Sequence, residues 1–149
     1  MKEGATTNHA KSYTIPKAYE QTLRLDVERL VKIGVLKRVN RSKWASPNFI
    51  IPKKDKAVRF ITDFRELNKR IQRKPFPIPK IQDLMFKLEG FKYGTSLYLN
   101  MGYYHIELDP KAKELCTIVP PWGNYEYQRL PMGLCNSPCW DYTMFHAIK

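Results

Sequence analysis

The stretch Gly94–Leu108, GTSLYLNMGYYHIEL, places the tightest constraint on how this chain can fold. Leu97 and Leu99 alternate with Ser96, Tyr98 and Asn100, the two-residue period of a half-buried strand. Asn100-Met101-Gly102 breaks that period, and Gly102 permits the positive φ that a sharp turn needs. Tyr103, Tyr104 and His105 follow directly, so the spacing predicts a strand whose exit presents aromatic and polar side chains. Strand ends that pass into turns are where mixed helix-and-sheet scaffolds display their chemistry. The same residues also suit a plain core strand with an aromatic exit, and the rest of the chain has to decide between the two.

Ahead of that stretch, Pro16 to Ile33 predicts a helix. Leu23, Val27 and Leu30-Val31 recur at helical spacing, Pro16 suits the opening turn, and Gly34 is placed to end it. Val35–Val39 predicts a short strand, and Asn40–Ser46 a basic turn carrying Trp44. Asn48–Lys53 and Val58–Asp63 are apolar runs around Lys53-Lys54-Asp55-Lys56-Ala57, which predicts a hairpin with three lysines at its tip. Asp63 to Arg70 reads as a turn of alternating charge. Lys74-Pro75-Phe76-Pro77-Ile78-Pro79 cannot be regular structure, because three prolines fix φ and remove donors. Lys80–Leu88 predicts a helix with Ile81, Leu84, Met85 and Leu88 on one face. Asp109–Glu114 suits one helical turn, Leu115–Val119 and Tyr125–Leu130 a second hairpin, and Ser137-Pro138 the start of a helix through Phe145.

Charge narrows the partner class. Lys and Arg number 26 against 14 Asp and Glu, a formal net charge of +12. Between Lys32 and Lys80 stand 15 basic residues and only three acids, Asp55, Asp63 and Glu66. So lopsided a segment suits a polyanion, most simply RNA or DNA. Lys53, Lys54, Lys56, Arg59, Arg70, Arg73 and Lys74 are the candidate contacts. Arg59, just inside the hairpin, offers a planar fork to a phosphate where lysines offer point charges. A merely solvated basic face, with lysines guarding a sheet edge, accounts for the same residues. Cys116, Cys135 and Cys139 lack metal-ligand or disulfide spacing and suit reduced thiols in an intracellular protein. His9, His105 and His146 are too scattered for a metal site. No apolar run approaches the ~20 residues needed to span a bilayer.

Taken together, four ordered segments resemble the reverse transcriptases (RNA-directed DNA polymerases) of gypsy-type long-terminal-repeat retrotransposons. They are VRFITDFRELNKR (Val58–Arg70), PFPIPKIQDL (Pro75–Leu84), SLYLNMGYYHI (Ser96–Ile106) and YEYQRLPMGLCNSP (Tyr125–Pro138). The resemblance runs from about Tyr13 to Ser137 and implies an α+β fold, with mixed or antiparallel sheet and packed helices. Residues 1–12 would be a disordered or extended lead. Residues 13–149 would form one domain, with fingers over about 13–90 and part of a palm over about 91–149. Lys53, Lys54 and Arg59 would then sit where the family grips the triphosphate of an incoming nucleotide. Tyr103 would occupy the place of the bulky residue under the sugar, and Pro131-Met132-Gly133 the turn that completes the pocket. Asp63 and Arg65 would brace the base of the fingers.

One departure decides what activity the resemblance implies. The family's strand reads Leu-Asp-Leu, and its Asp is one of the carboxylates that hold two Mg²⁺ ions; here that position is Tyr98. Two metals ~3.5–4 Å apart need shared anionic ligands, and a phenol keeps its proton at pH 7. The family's paired aspartates, expected beyond Ser137, do not occur before Lys149. Cys139-Trp140-Asp141 also departs from the family, which has an aromatic-Gln pair there. The resemblance therefore implies a degenerate or truncated copy, a pseudoenzyme that keeps a nucleic-acid-facing surface, binds no Mg²⁺ and has no catalytic residue of its own. The alternative is a structural or docking subunit, with a protein partner over an incomplete palm sheet. On that reading Tyr98 is expected to be covered, by the helix around Trp140 and Phe145 or by the partner.

Overall fold

The computed structural model describes residues 6–53, 58–73, 80–95 and 98–137. The first helix, α1 (Lys17–Lys32), turns Leu23, Val27 and Leu30 inward, and all three are buried. Each contributes about 1.5–3 kcal/mol relative to an exposed side chain. Glu20–Arg24 and Asp26–Arg29 pairs line the solvent side. Gly34 takes φ +74°, and the Val35 N–H donates to the Leu30 carbonyl at 2.9 Å, which closes the helix as expected.

Two small sheets follow. β1 (Leu36–Val39), β4 (Thr117–Ile118) and β5 (Asn124–Tyr127) form an antiparallel sheet in the order β1-β5-β4, with Leu36 opposite Tyr127 and Thr117 opposite Glu126. β5 alternates Tyr125 and Tyr127 inward with Asn124 and Glu126 outward. β2 (Asn48–Pro52) and β3 (Val58–Thr62) pair antiparallel, Asn48 opposite Thr62 and Pro52 opposite Val58. Ser46 ties the two sheets together. Its N–H donates to the Thr117 carbonyl at 2.8 Å, and its own carbonyl accepts from Val119 N–H at 3.2 Å.

A single core joins both sheets. Leu23, Val27, Leu30, Trp44, Phe64, Leu67, Ile118, Tyr125, Tyr127 and Leu130 belong to one buried cluster. Trp44, expected in an open basic turn, lies at its edge with 1% of its surface exposed. Its indole N–H donates to Ser46 Oγ at 3.1 Å, and the Arg70 guanidinium covers its ring at 5.1 Å.

Two expectations need correction. The alternating charges of Asp63–Arg70 form a helix, α2 (Arg65–Arg70), rather than a turn. Glu66 pairs with Lys69 and Arg70 one turn on, and Leu67 is buried beneath them. The helix expected at Lys80–Leu88 is present as α3 (Ile81–Lys87), yet it buries none of its residues against the described ones. Ile81, Met85, Phe86 and Leu88 all face outward.

The second correction falls on the strand read from Gly94–Leu108, of which Ser96 and Leu97 lie outside the described residues. Tyr98 and Leu99 join no ladder among the described residues, and Met101 is left-handed at φ 55°. A short 3₁₀ helix, Gly102–His105, follows, and only then does the chain pair, Glu107 bridging antiparallel to Arg129. Alternation alone does not make a strand, because the backbone N–H and C=O groups need a neighbour to bond. Behind this turn α4 (Pro110–Leu115) starts where expected, with Asp109 accepting Lys111 N–H at 2.9 Å and Pro110 in the first turn. The hairpin tip Lys54–Ala57, the proline run Lys74–Pro79 and the helix expected after Ser137 lie outside the described residues.

Candidate functional site

The ends of β3 and β5 meet the Pro131–Gly133 turn around a cavity of about 340 Å³. β3 sends Arg59 outward and Thr62 inward, with Phe60 and Ile61 half-buried between them. All four line the cavity, opposite Tyr104, Tyr127, Met132 and Gly133. Arg59 and Thr62 are three residues apart, so the two-residue period sets them on opposite faces of the strand, one at the mouth of the cavity and one at its floor. Thr62 Oγ1 and the Tyr127 phenol lie 3.1 Å apart in the buried floor. Burial pushes the Tyr104 and Tyr127 phenols upward, so both stay neutral hydrogen-bonding groups. The cavity thus carries one cation at its mouth, uncharged hydroxyls in its floor and apolar Met132 on its rim. A guanidinium binds a phosphate bidentately, and an apolar wall takes a flat ring.

The rim is delivered by β5 but not held by it. Leu130 N–H donates to the Ile106 carbonyl at 2.9 Å, the last sheet-like bond before the turn. Beyond it Gly133 takes φ +97°, a conformation that strains any side chain, and lies against the Phe64 ring. The turn then closes on Ser137, whose Oγ donates to the Pro131 carbonyl at 3.1 Å.

The residues proposed from sequence divide into three groups. Arg59 and Met132 come together in the cavity. Lys53 is exposed at the end of β2, Arg73 is exposed after α2, and Lys54, Lys56 and Lys74 lie outside the described residues. Tyr103 is half-buried in the 3₁₀ helix and packs on the core, while the neighbouring Tyr104 lines the cavity. Arg70 is engaged within the fold, donating to Glu66 and stacking on Trp44. Arg65 grips Asp63 through two nitrogens, the shorter contact 2.6 Å, and Tyr13 donates to the same carboxylate at 3.1 Å. These bonds hold the Asp63 carboxyl at about 2.

Tyr98 is 92% exposed, and the segment around Trp140 and Phe145 expected to cover it lies outside the described residues. Nothing among the described residues packs over Tyr98. Its phenol does not fit the two-metal role that a carboxylate fills, and no group of three His, Cys, Asp or Glu among the described residues is arranged to hold a metal. No helix of the described residues is long and apolar enough to cross a membrane. Thr62 and Tyr127 were not singled out from sequence, and Tyr104 stood out only as part of the aromatic exit at Tyr103–His105. A strand-end hydroxyl followed by Asp63, and phenols in two separate runs, carry no signal until the chain folds them together.

Comparisons with known proteins agree with one another. Residues 51–148 match the family model for reverse transcriptase (RNA-dependent DNA polymerase). The chain is 30% identical over 136 residues to the retrovirus-related Pol polyprotein from transposon 412 of Drosophila melanogaster, spanning 87% of this chain and 11% of that protein. Its fold is similar to the native protease-reverse transcriptase of prototype foamy virus, with a TM-score of 0.84 and 26% identity, covering 96% of this chain and 19% of that one. The foamy viral enzyme in complex with an RNA/DNA hybrid matches with a TM-score of 0.78 at 18% identity, over 97% and 19% of the two chains. The chain therefore spans a small part of each relative.

Proposed function

The chain belongs to the reverse transcriptase (RNA-dependent DNA polymerase) family, and on that premise we propose that it is the part of such an enzyme that grips nucleic acid and a nucleotide phosphate. The observation that carries this reading is the cavity where Arg59 faces Met132 across two elements distant in sequence. Its donor set suits a nucleoside triphosphate, with phosphates at Arg59 and the ring against the Met132 rim. Lys54, Lys56, Arg73 and Lys74 belong to the same basic stretch of sequence, and the excess of basic residues between Lys32 and Lys80 suits RNA or DNA. A foamy viral relative holding an RNA/DNA hybrid supports the same partner class.

Tyr98 sets the limit of the activity. In-line displacement of pyrophosphate needs metals held by carboxylates, and a phenol at this position removes one of them. The chain is proposed to bind but not to extend a primer. Purified protein incubated with primer, template, deoxynucleotides and Mg²⁺ or Mn²⁺ is expected to give no extension. Templated incorporation that tracks with the protein through purification would overturn that reading.

A docking role is the second reading, and the row of outward apolar side chains from Ile81 to Phe91 favours it. A free surface of this size is costly in water and suits cover by further protein. Mass measurement of the complex purified at physiological salt separates the two: bound nucleic acid supports the first, stoichiometric protein the second.

A further inference from the structure

The side chain of Asn68 fastens the rim of the cavity to α2. Asn68 Nδ2 donates to the Gly133 carbonyl at 2.8 Å, and Asn68 Oδ1 accepts from the Cys135 N–H at 2.9 Å. These contacts cross 65 and 67 residues of sequence. A primary amide is the side-chain group that donates and accepts at once in this geometry; a carboxylate lacks the donor and an alkyl group lacks both. A third bond reinforces the clasp, from Asn136 Nδ2 to the Gln72 carbonyl at 3.2 Å. Asn68 itself is anchored, since its own N–H donates to the Phe64 carbonyl at 2.7 Å within α2.

The connection matters because of what α2 also carries. Only Asp63 and Phe64 separate its first turn from β3, so Thr62 and Asn68 lie on one short stretch of chain. The wall of the cavity and the anchor of its rim are thus joined through six residues, while the sheet that delivers the rim contributes no bond after Leu130 among the described residues. Resting on the reading of the cavity as a nucleotide site, we propose that Asn68 is a positioning residue. It sets the gap between Arg59–Thr62 and Met132, and through that gap the affinity for a nucleoside triphosphate. It touches no ligand itself.

The test uses the full chain and two variants, Asn68→Asp and Asn68→Ala. Asn68→Asp keeps the size and the acceptor for Cys135 but sets a carboxylate against the Gly133 carbonyl. Three quantities are measured: amide exchange at Gly133 and Cys135, with the Tyr127 amide as an internal control; binding of thymidine triphosphate by calorimetry; and duplex DNA binding. Both variants are expected to bind the triphosphate about tenfold more weakly, with duplex affinity and Tyr127 protection unchanged. Cys135 exchange is expected to rise at least about tenfold in Asn68→Ala, which loses the acceptor. Unchanged triphosphate affinity in both variants would overturn the proposal, as would a parallel loss of duplex binding and Tyr127 protection, which would mark a merely structural residue. A parent chain that binds no triphosphate would instead remove the nucleotide reading, and the exchange at Cys135 would then decide the clasp alone.

Discussion

At the scale of single residues, Asp63 shows how one carboxylate organises three segments. It receives Arg65 from the start of α2 and the Tyr13 phenol from the segment ahead of α1. The Arg65 bonds are the main cause of its depression from 3.8 to about 2. A depressed folded value gives stability that is complete above the unfolded value and is lost as pH falls through the folded one. The window is therefore about pH 4 down to 2. Asp63→Asn is expected to be less stable than the parent at pH 5 by about 1 kcal/mol, a figure discounted because Arg65 lies mostly in solvent. The gap should close as pH approaches 2, and urea midpoints at pH 5, 3 and 2 check this. A gap that persists at pH 2 would mean the loss is one of packing. Tyr98 is the opposite case. With 92% of its surface exposed, Tyr98→Asp should shift the melting free energy by no more than about 0.5 kcal/mol. A drop of several kcal/mol would mean that Tyr98 is covered in solution.

Among elements, those with an apolar stripe matched by a partner were legible in the sequence, and those whose partner lies elsewhere were not. α1 followed from Leu23, Val27 and Leu30, and the β2–β3 hairpin from two runs flanking lysines. α2 was hidden because Leu67 is its one buried residue, and six residues of mixed charge look like a turn until Glu66 pairs along the helix. The strand through Tyr98 was overread, since periodicity describes a side-chain pattern and says nothing of a hydrogen-bonding neighbour. The cavity was legible in part: Arg59 and Met132 were chosen, whereas Thr62, Tyr104, Tyr127 and Asn68 depend on contacts that no local pattern encodes. The contrast between α2 and α3 makes a prediction. Leu67→Ala, at 1% exposure, should cost about 2–5 kcal/mol, whereas Phe86→Lys, at 74%, should leave the unfolding free energy nearly unchanged. Chemical denaturation of both variants checks this, and a large cost for Phe86→Lys would show that α3 packs against protein in solution.

For the whole molecule, charge and fold act on different surfaces. The core joins both sheets and α1, so the cations are pushed outward: Arg59 lines the cavity, and Lys53 and Arg73 are exposed on the same basic segment. Not every cation is equally available for phosphate. Arg65 is held by Asp63, and Arg70 by Glu66 and the Trp44 ring, so their charge is already compensated within the fold. Lys53 and Arg59 have no such partner among the described residues. Duplex binding at the hairpin should therefore release counterions in proportion to the finger cations alone. With about five phosphates neutralised, log affinity should fall against log salt with a slope of about −4 to −5. Replacing Lys53, Lys54 and Lys56 together by Ala should flatten that slope by about 2 to 3. Replacing Arg70 by Ala should leave the slope within about half a unit of the parent, because removing it also frees Glu66. Salt titrations of a short duplex, followed by fluorescence anisotropy, distinguish the two. An equal flattening by both variants would place the duplex across α2 as well as the hairpin, and an unchanged slope in the triple lysine variant would remove the hairpin from the interface.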